Sequence, residues 1–130
     1  MNLDTRTTAL VMGRGRAVIG LVLLFLPGVV ARLWFGESTP RTRGLLRMIG
    51  IRDLILGVGA LTTTKERTMD AEWVGMGAMA DAVDGVVAFT MRDVPGRGRL
   101  LGPAALGSAV VGLKVARDLA DARAAESSAG

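Results

Sequence analysis

Charged positions divide the chain into apolar stretches of unequal length. Ala17 to Ala31 is an uncharged run of 15 residues, AVIGLVLLFLPGVVA, and Leu100 to Leu113 is another of 14, LLGPAALGSAVVGL. Leu54 to Thr64 adds 11 more. None reaches the roughly 18 residues that mark a membrane helix unaided. Arg or Lys at the ends extends each run, because a long aliphatic stem carries its charge out to the headgroups. With that allowance the pattern predicts four helical spans, 14–35, 43–64, 71–91 and 98–119, followed by an exposed tail at 120–130. A helix in a water-soluble bundle keeps a polar face beside its apolar stripe. The 17–31 stretch has none, and 100–113 offers only Ser108. The expectation is an all-α fold, a four-helix up-down-up-down transmembrane bundle formed by residues 1–130 as one domain. A soluble or peripheral basic helical bundle is the alternative. The first apolar run lies far from Met1 and no A-x-A site follows it, which favours a retained helix over a signal segment.

The breaks between spans are short. FGESTPRTR at 35–43 holds Gly36 and Pro40, TTKERTMDAE at 63–72 carries both signs of charge, and RDVPGRGR at 92–99 contains Pro95 and Gly96. Short connections make neighbouring helices antiparallel. Pro27 falls inside the first span and should kink it by freeing the carbonyl of Leu23. An even number of spans places both termini on one side with the 65–72 loop. Eight cations on that side (Arg6, Arg14, Arg16 and others) against six on the other favour cytoplasmic termini, and the load of Arg, Ala, Gly and Val points to a bacterial inner membrane.

Composition narrows the chemistry. The chain has no Cys, His or Tyr, which removes disulfides, thiol redox steps, zinc fingers, His-ligated haem and Ser-His or Cys-His nucleophile pairs. No catalytic residue, metal site or cofactor is expected. Net charge is +4 and mean hydropathy +0.41. The tetrapeptide GRGR precedes an apolar helix twice, at 13–16 and 96–99, and reads as a basic interfacial anchor. No aromatic stacking platform accompanies it, so the excess of arginine points to anionic headgroups of the lipid bilayer and no nucleic acid partner.

Glycine accounts for 18 residues, and its spacing is helical. Gly13, Ala17, Gly20, Pro27 and Ala31 share a face of the first span, and Gly98, Gly102, Ala105, Ala109, Gly112 and Ala116 share one of the last. Small faces let backbones approach where lipid removes the hydrophobic force between helices. Packing within the bundle is expected from them, with a homo-oligomer or a larger membrane complex as the alternative use.

Charges also fall where apolar residues are expected. Asp53 is the midpoint of 43–64 and Asp81 the midpoint of 71–91, so consecutive antiparallel helices bring both to one depth. Gly50, Asp53, Gly57 and Ala60 share one face, and Gly77, Asp81, Asp84 and Ala88 share another. Gly50, Gly57, Gly77 and Gly85 are thus expected to pack these two helices against each other. A carboxylate at the bilayer centre costs about 2.5–3.5 kcal/mol on insertion scales. Arg47 and Asp84 lie on the same side of this level and are expected to pair, with Arg52 in reach of Asp53 or Asp81. Arg47, Arg52, Asp53, Asp81 and Asp84 hold two positive and three negative charges. They read as a structural lock between helices. The alternatives are a proton or cation site of a small carrier or channel-like protein, and a docking surface for another membrane protein.

In LLRMIGIRDLILGVGAL (45–61) and GAMADAVDGVVAF (77–89) the chain resembles the small four-helix integral membrane proteins of the "domain of unknown function 4267" family, themselves similar to DoxX-like proteins. The resemblance rests on R-x-x-G-x-R-D-x-x-L-G, here Arg47, Gly50, Arg52, Asp53, Leu56 and Gly57, and on the later Asp81 and Asp84. It implies a four-span bundle and supplies no reaction, substrate or cofactor. The expected role is a non-enzymatic helical-bundle component or accessory subunit of a membrane complex.

Overall fold

A computed structural model describes residues 3–66, 68–90 and 99–129. All regular structure among them is helical: α1 (Leu3–Phe25), α2 (Pro27–Phe35), α3 (Pro40–Glu66), α4 (Asp70–Thr90) and α5 (Leu101–Ser128). The expected turn at Pro95 and Gly96, and all but Arg99 of the second GRGR, lie outside the described residues.

The first expected span is longer than 14–35 and is divided. It begins at Leu3, with Asp4 in the first turn facing the positive end of the helix dipole. It breaks at Leu26, whose φ of −120° and ψ of 37° are not helical. Pro27 has no N–H to continue the ladder, and it becomes the first residue of α2, where no N–H is needed. Gly36 stops α2 with φ of 80°, a left-handed conformation that suits a residue lacking Cβ, and its N–H reaches the Arg32 carbonyl at 3.0 Å. Thr39 and Pro40 then open α3: the Thr39 hydroxyl accepts the Thr42 N–H at 3.1 Å, capping the new helix.

Residues 120–128 are not the frayed tail expected after 119. They continue α5, with Leu119 buried just before them and Arg123 bound to Asp70 and Glu72 at the start of α4. The alternation of charge with Ala in DLADARAAESS is a good helix composition, and the ion pair fixes it to a neighbour.

Two close helix pairs organise the molecule. Gly13, Gly20 and Leu24 of α1 pass Leu61, Leu54 and Gly50 of α3 in reverse order. The backbones touch there: a methyl group placed on Gly20 would lie 2.5 Å from the Leu54 nitrogen, and one on Gly57 would lie 2.5 Å from that of Ala17. The second pair is α4 with α5, where Gly112 faces Ala78, Gly102 faces Ala88 and Phe89, and Gly85 faces Leu106. This corrects the expected pairing. The small face of α3 is covered by α1, and Gly75, Ala78 and Gly85 of α4 are covered by α5, while Gly77 faces Arg16 of α1. Between α3 and α4, side chains mediate: the Trp73 ring lies over Gly59, and Arg52 reaches Asp84.

The packing changes along the helices. Ala9, Ala60, Val74, Val115 and Leu119 form an apolar core at the end that holds the termini. Farther along, the buried positions are glycines, alanines and two aspartates, with Pro27 and Leu46. Large apolar side chains face outward there on every helix, Phe25 at 71% exposure, Met48 at 68% and Val110 at 69% among them.

Candidate functional site: an ion-pair network joining four helices

Asp53 lies on the small face of α3, between Gly50 and Gly57, so the close approach of α1 carries it out of solvent. Asp81 is one turn beyond Gly77 on α4 and is buried as well. Both receive the same cation. The Arg16 guanidinium donates to Asp53 Oδ1 at 3.1 Å, to Asp81 Oδ2, and to the Gly77 carbonyl at 3.0 Å. Ser108 of α5 completes Asp81, its hydroxyl donating to Oδ2 at 2.5 Å. Arg52 extends the network outward, gripping Asp84 with both terminal nitrogens at 2.8 and 2.6 Å and touching Asp53 at 3.2 Å.

The order Ser108, Asp81, Arg16, Asp53, Arg52, Asp84 therefore links α5, α4, α1 and α3 in one hydrogen-bonded series. It is graded in exposure. The side chains of Arg16, Asp53 and Asp81 are 12–13% exposed, whereas Arg52 and Asp84 stand at 34% and 37%. Arg52 Nε is buried with no hydrogen-bond partner, which leaves that donor unsatisfied.

Of the residues expected at this site, the structure brings Arg52, Asp53, Asp81 and Asp84 together and leaves Arg47 out. Arg47 is exposed on α3, and Asp84 is held by Arg52 in its place. The missing cation is Arg16. It lies mid-way along α1 and is not the interfacial anchor that GRGR implied, because α1 extends to Leu3 and moves residue 16 to the helix centre. A signal for this was present: Gly13, Arg16, Ala17 and Gly20 fall at helical spacing on one face. The charge count is unchanged by the exchange, two cations against three carboxylates.

Gly50 and Gly57 admit the α1 backbone, and Gly85 admits Leu106. Gly77 does something the helix-packing reading missed. A methyl group there would sit 3.2 Å from Arg16 Nε and 3.3 Å from Cζ, so this glycine makes the seat for the guanidinium.

A second polar group secures the terminal end. Arg6 donates to the carbonyls of Thr64 and Lys65 at 2.8 and 3.3 Å, satisfying acceptors that the end of α3 leaves open. Arg123 binds Glu72 at 3.1 Å and also Asp70. Desolvation opposes its charge while Glu72 and Asp70 favour it, and the carboxylates prevail, raising its pKa.

Among the described residues no group of three or more Asp or Glu side chains is arranged to hold a metal ion. Ser108 brings a hydroxyl to the Asp81 carboxylate, and each inner carboxylate accepts hydrogen bonds from a guanidinium. The chemistry open to it is electrostatic: holding helices in register, or hosting a small cation or proton beside the third carboxylate. No protein-family model, curated protein or solved structure matches the chain.

Proposed function

We propose that this chain is an integral membrane component, a four-helix up-down-up-down bundle serving as a non-enzymatic subunit, with Arg16, Arg52, Asp53, Asp81 and Asp84 as the lock between its helices. The observation that carries this reading is the inverted distribution of side chains. Between the terminal apolar core and the buried Leu46, the fully buried positions hold charge, glycine and alanine, while large apolar side chains are exposed on every helix. In water such a surface is costly, since monomeric soluble proteins rarely expose contiguous apolar patches beyond a few hundred Å². In lipid it is the favourable arrangement, with small residues and polar groups between helices. One helix among the described residues, over Asp4–Phe25, is long and apolar enough to cross a membrane, and only 22% of its most apolar window is buried. The carboxylates of the network lie on α3 and α4, and α5 carries Lys114, Arg117 and Asp118 within its length. The resemblance to the "domain of unknown function 4267" family agrees with this reading.

With Arg16 held inside the bundle, the excess of cations that favoured cytoplasmic termini narrows.

Membrane fractionation with an alkaline carbonate wash tests the reading. Protein that stays in the pellet until detergent is added supports integral insertion; release into the supernatant overturns it. The proton or cation site remains the second reading, favoured by three carboxylates facing two guanidinium groups. Asp53→Asn and Asp81→Asn separate the two. A lock predicts loss of folded protein, and an ion site predicts folded protein with an altered pH dependence of transport.

A further inference from the structure

The two ends of the molecule differ in a way that total charge conceals. At the end where α2 meets α3 and α5 begins, Arg32, Arg41, Arg43, Arg47 and Arg99 are all exposed, and the acid beside them among the described residues is Glu37. None of the five takes part in an ion pair among the described residues. At the terminal end cations and acids alternate, as in Lys65–Glu66 and Arg117–Asp118. There Arg6 caps carbonyl groups and Arg123 is bound to Asp70 and Glu72. One end is neutralised internally and the other is left cationic.

We propose that the end formed by the first turns of α3, the length of α2 and the start of α5 is a binding face for anionic phospholipid headgroups. The inference rests on the bilayer reading above. The face borders the outward apolar side chains Val29, Leu33, Leu45, Leu100 and Leu101, so the cations stand where headgroups meet acyl chains. Every cation on it is arginine, whose planar fork takes a phosphate through two parallel hydrogen bonds, whereas an ammonium acts as a point charge. Arg43 and Arg47 are one turn apart and share a side of α3. Trp34 lies half-buried on α2, two residues from Arg32, placing an aromatic ring at the same level.

The chain carries its own reporters, because one of its two tryptophans lies at each end: Trp34 on the arginine face and Trp73 near the terminal core. The full chain is reconstituted into phosphatidylcholine vesicles as two single-tryptophan variants, W73F and W34F. Each is titrated with phosphatidylglycerol brominated on its acyl chains, or with brominated phosphatidylcholine at the same fraction, and fluorescence quenching is read. The expected result is stronger quenching of Trp34 by the anionic lipid, matching a local enrichment of roughly fivefold for one fully effective cation at an anionic surface. Trp73 is expected to be quenched equally by both lipids. Raising salt should erase the preference at Trp34, and R41Q/R43Q in the W73F background should erase it without salt, whereas K114Q/R117Q should leave it intact. Inorganic phosphate at constant ionic strength should not compete. Equal quenching of Trp34 by the two lipids overturns the headgroup face and leaves the bilayer reading standing. Erasure of the preference by free phosphate assigns the arginines to a soluble anion and likewise overturns it. Failure of either lipid to quench either tryptophan overturns the bilayer reading and this one with it.

Discussion

Arg16 is shared by two carboxylates and a main-chain carbonyl on two other helices, and Arg52 reaches one of those carboxylates, Asp53. Replacing it with Met leaves Asp53 and Asp81 buried with most of their charge unmatched, and breaking a buried ion pair in this way costs about 3–5 kcal/mol. Arg16→Met is therefore expected to lower the thermal unfolding midpoint in detergent sharply, or to prevent folded protein from accumulating. Arg16→Lys should recover part of the loss, because an ammonium cannot fork to two partners at the guanidinium's spacing. Arg47→Gln, at an exposed position outside the network, should change stability by no more than about 0.5 kcal/mol. An Arg16→Met protein that melts with the parent would remove the network from the account of stability. The carboxylates of the network were legible in the sequence because depth follows from counting: midpoints of consecutive antiparallel helices meet. Their cation was not. An arginine at the edge of an apolar run reads equally well as the end of a helix or as its middle, and the polar Thr5, Arg6, Thr7 and Thr8 upstream hide the extra turns that decide between them.

At the scale of the element, the glycines divide by what lies against them. Gly57 and Gly20 face main-chain atoms of a neighbouring helix, with no room for a methyl group, whereas Gly15 and Gly107 have nothing within 4 Å of the position a Cβ would take. Gly57→Ala and Gly20→Ala should each force α1 and α3 apart, with the 1–3 kcal/mol cost that overpacking typically carries, about that much per site. Gly15→Ala and Gly107→Ala should stabilise their helices by about 0.5–1 kcal/mol, because alanine loses less backbone entropy on folding. Chemical unfolding of the four variants in mild detergent reads the contrast, and a uniform response at all four sites would show that the α1–α3 contact is not made through backbone. The small faces themselves were plain from periodicity, as was a kink at Pro27 from its missing N–H, whereas the full break at Leu26 was not. Which small face meets which was hidden, since several helices offer similar stripes and periodicity carries no label for a partner. Charge resolved it: Arg16 sits on the same face of α1 as Gly13 and Gly20, and it can reach Asp53 only if that face lies on α3.

The whole molecule combines two kinds of packing in one set of helices. Toward the termini, Leu119, Val115, Val74, Ala60 and Ala9 make a core of the ordinary apolar sort, flanked by ion pairs exposed to solvent. Toward the other end the large apolar residues turn outward and charge turns inward. Helices α1, α3, α4 and α5 each cross both zones, and α5 allows one comparison within the same element. Val110 is 69% exposed in the apolar zone, and Ala124 is exposed beyond it. If the outward face of α5 meets hydrocarbon, Val110→Lys carries an insertion penalty of about 2.5–3.5 kcal/mol, softened where the ammonium snorkels toward an interface. If it meets water, the same substitution at an exposed position changes stability by about 0.5 kcal/mol or less. Ala124→Lys should be nearly neutral in both cases. The measurement is the fraction of each variant retained in membranes after an alkaline carbonate wash. Bilayer insertion predicts marked loss for Val110→Lys, with Ala124→Lys matching the parent. Equal retention of the two lysine variants would place the outside of α5 in water and would require another explanation for an interior built of arginine, aspartate and glycine.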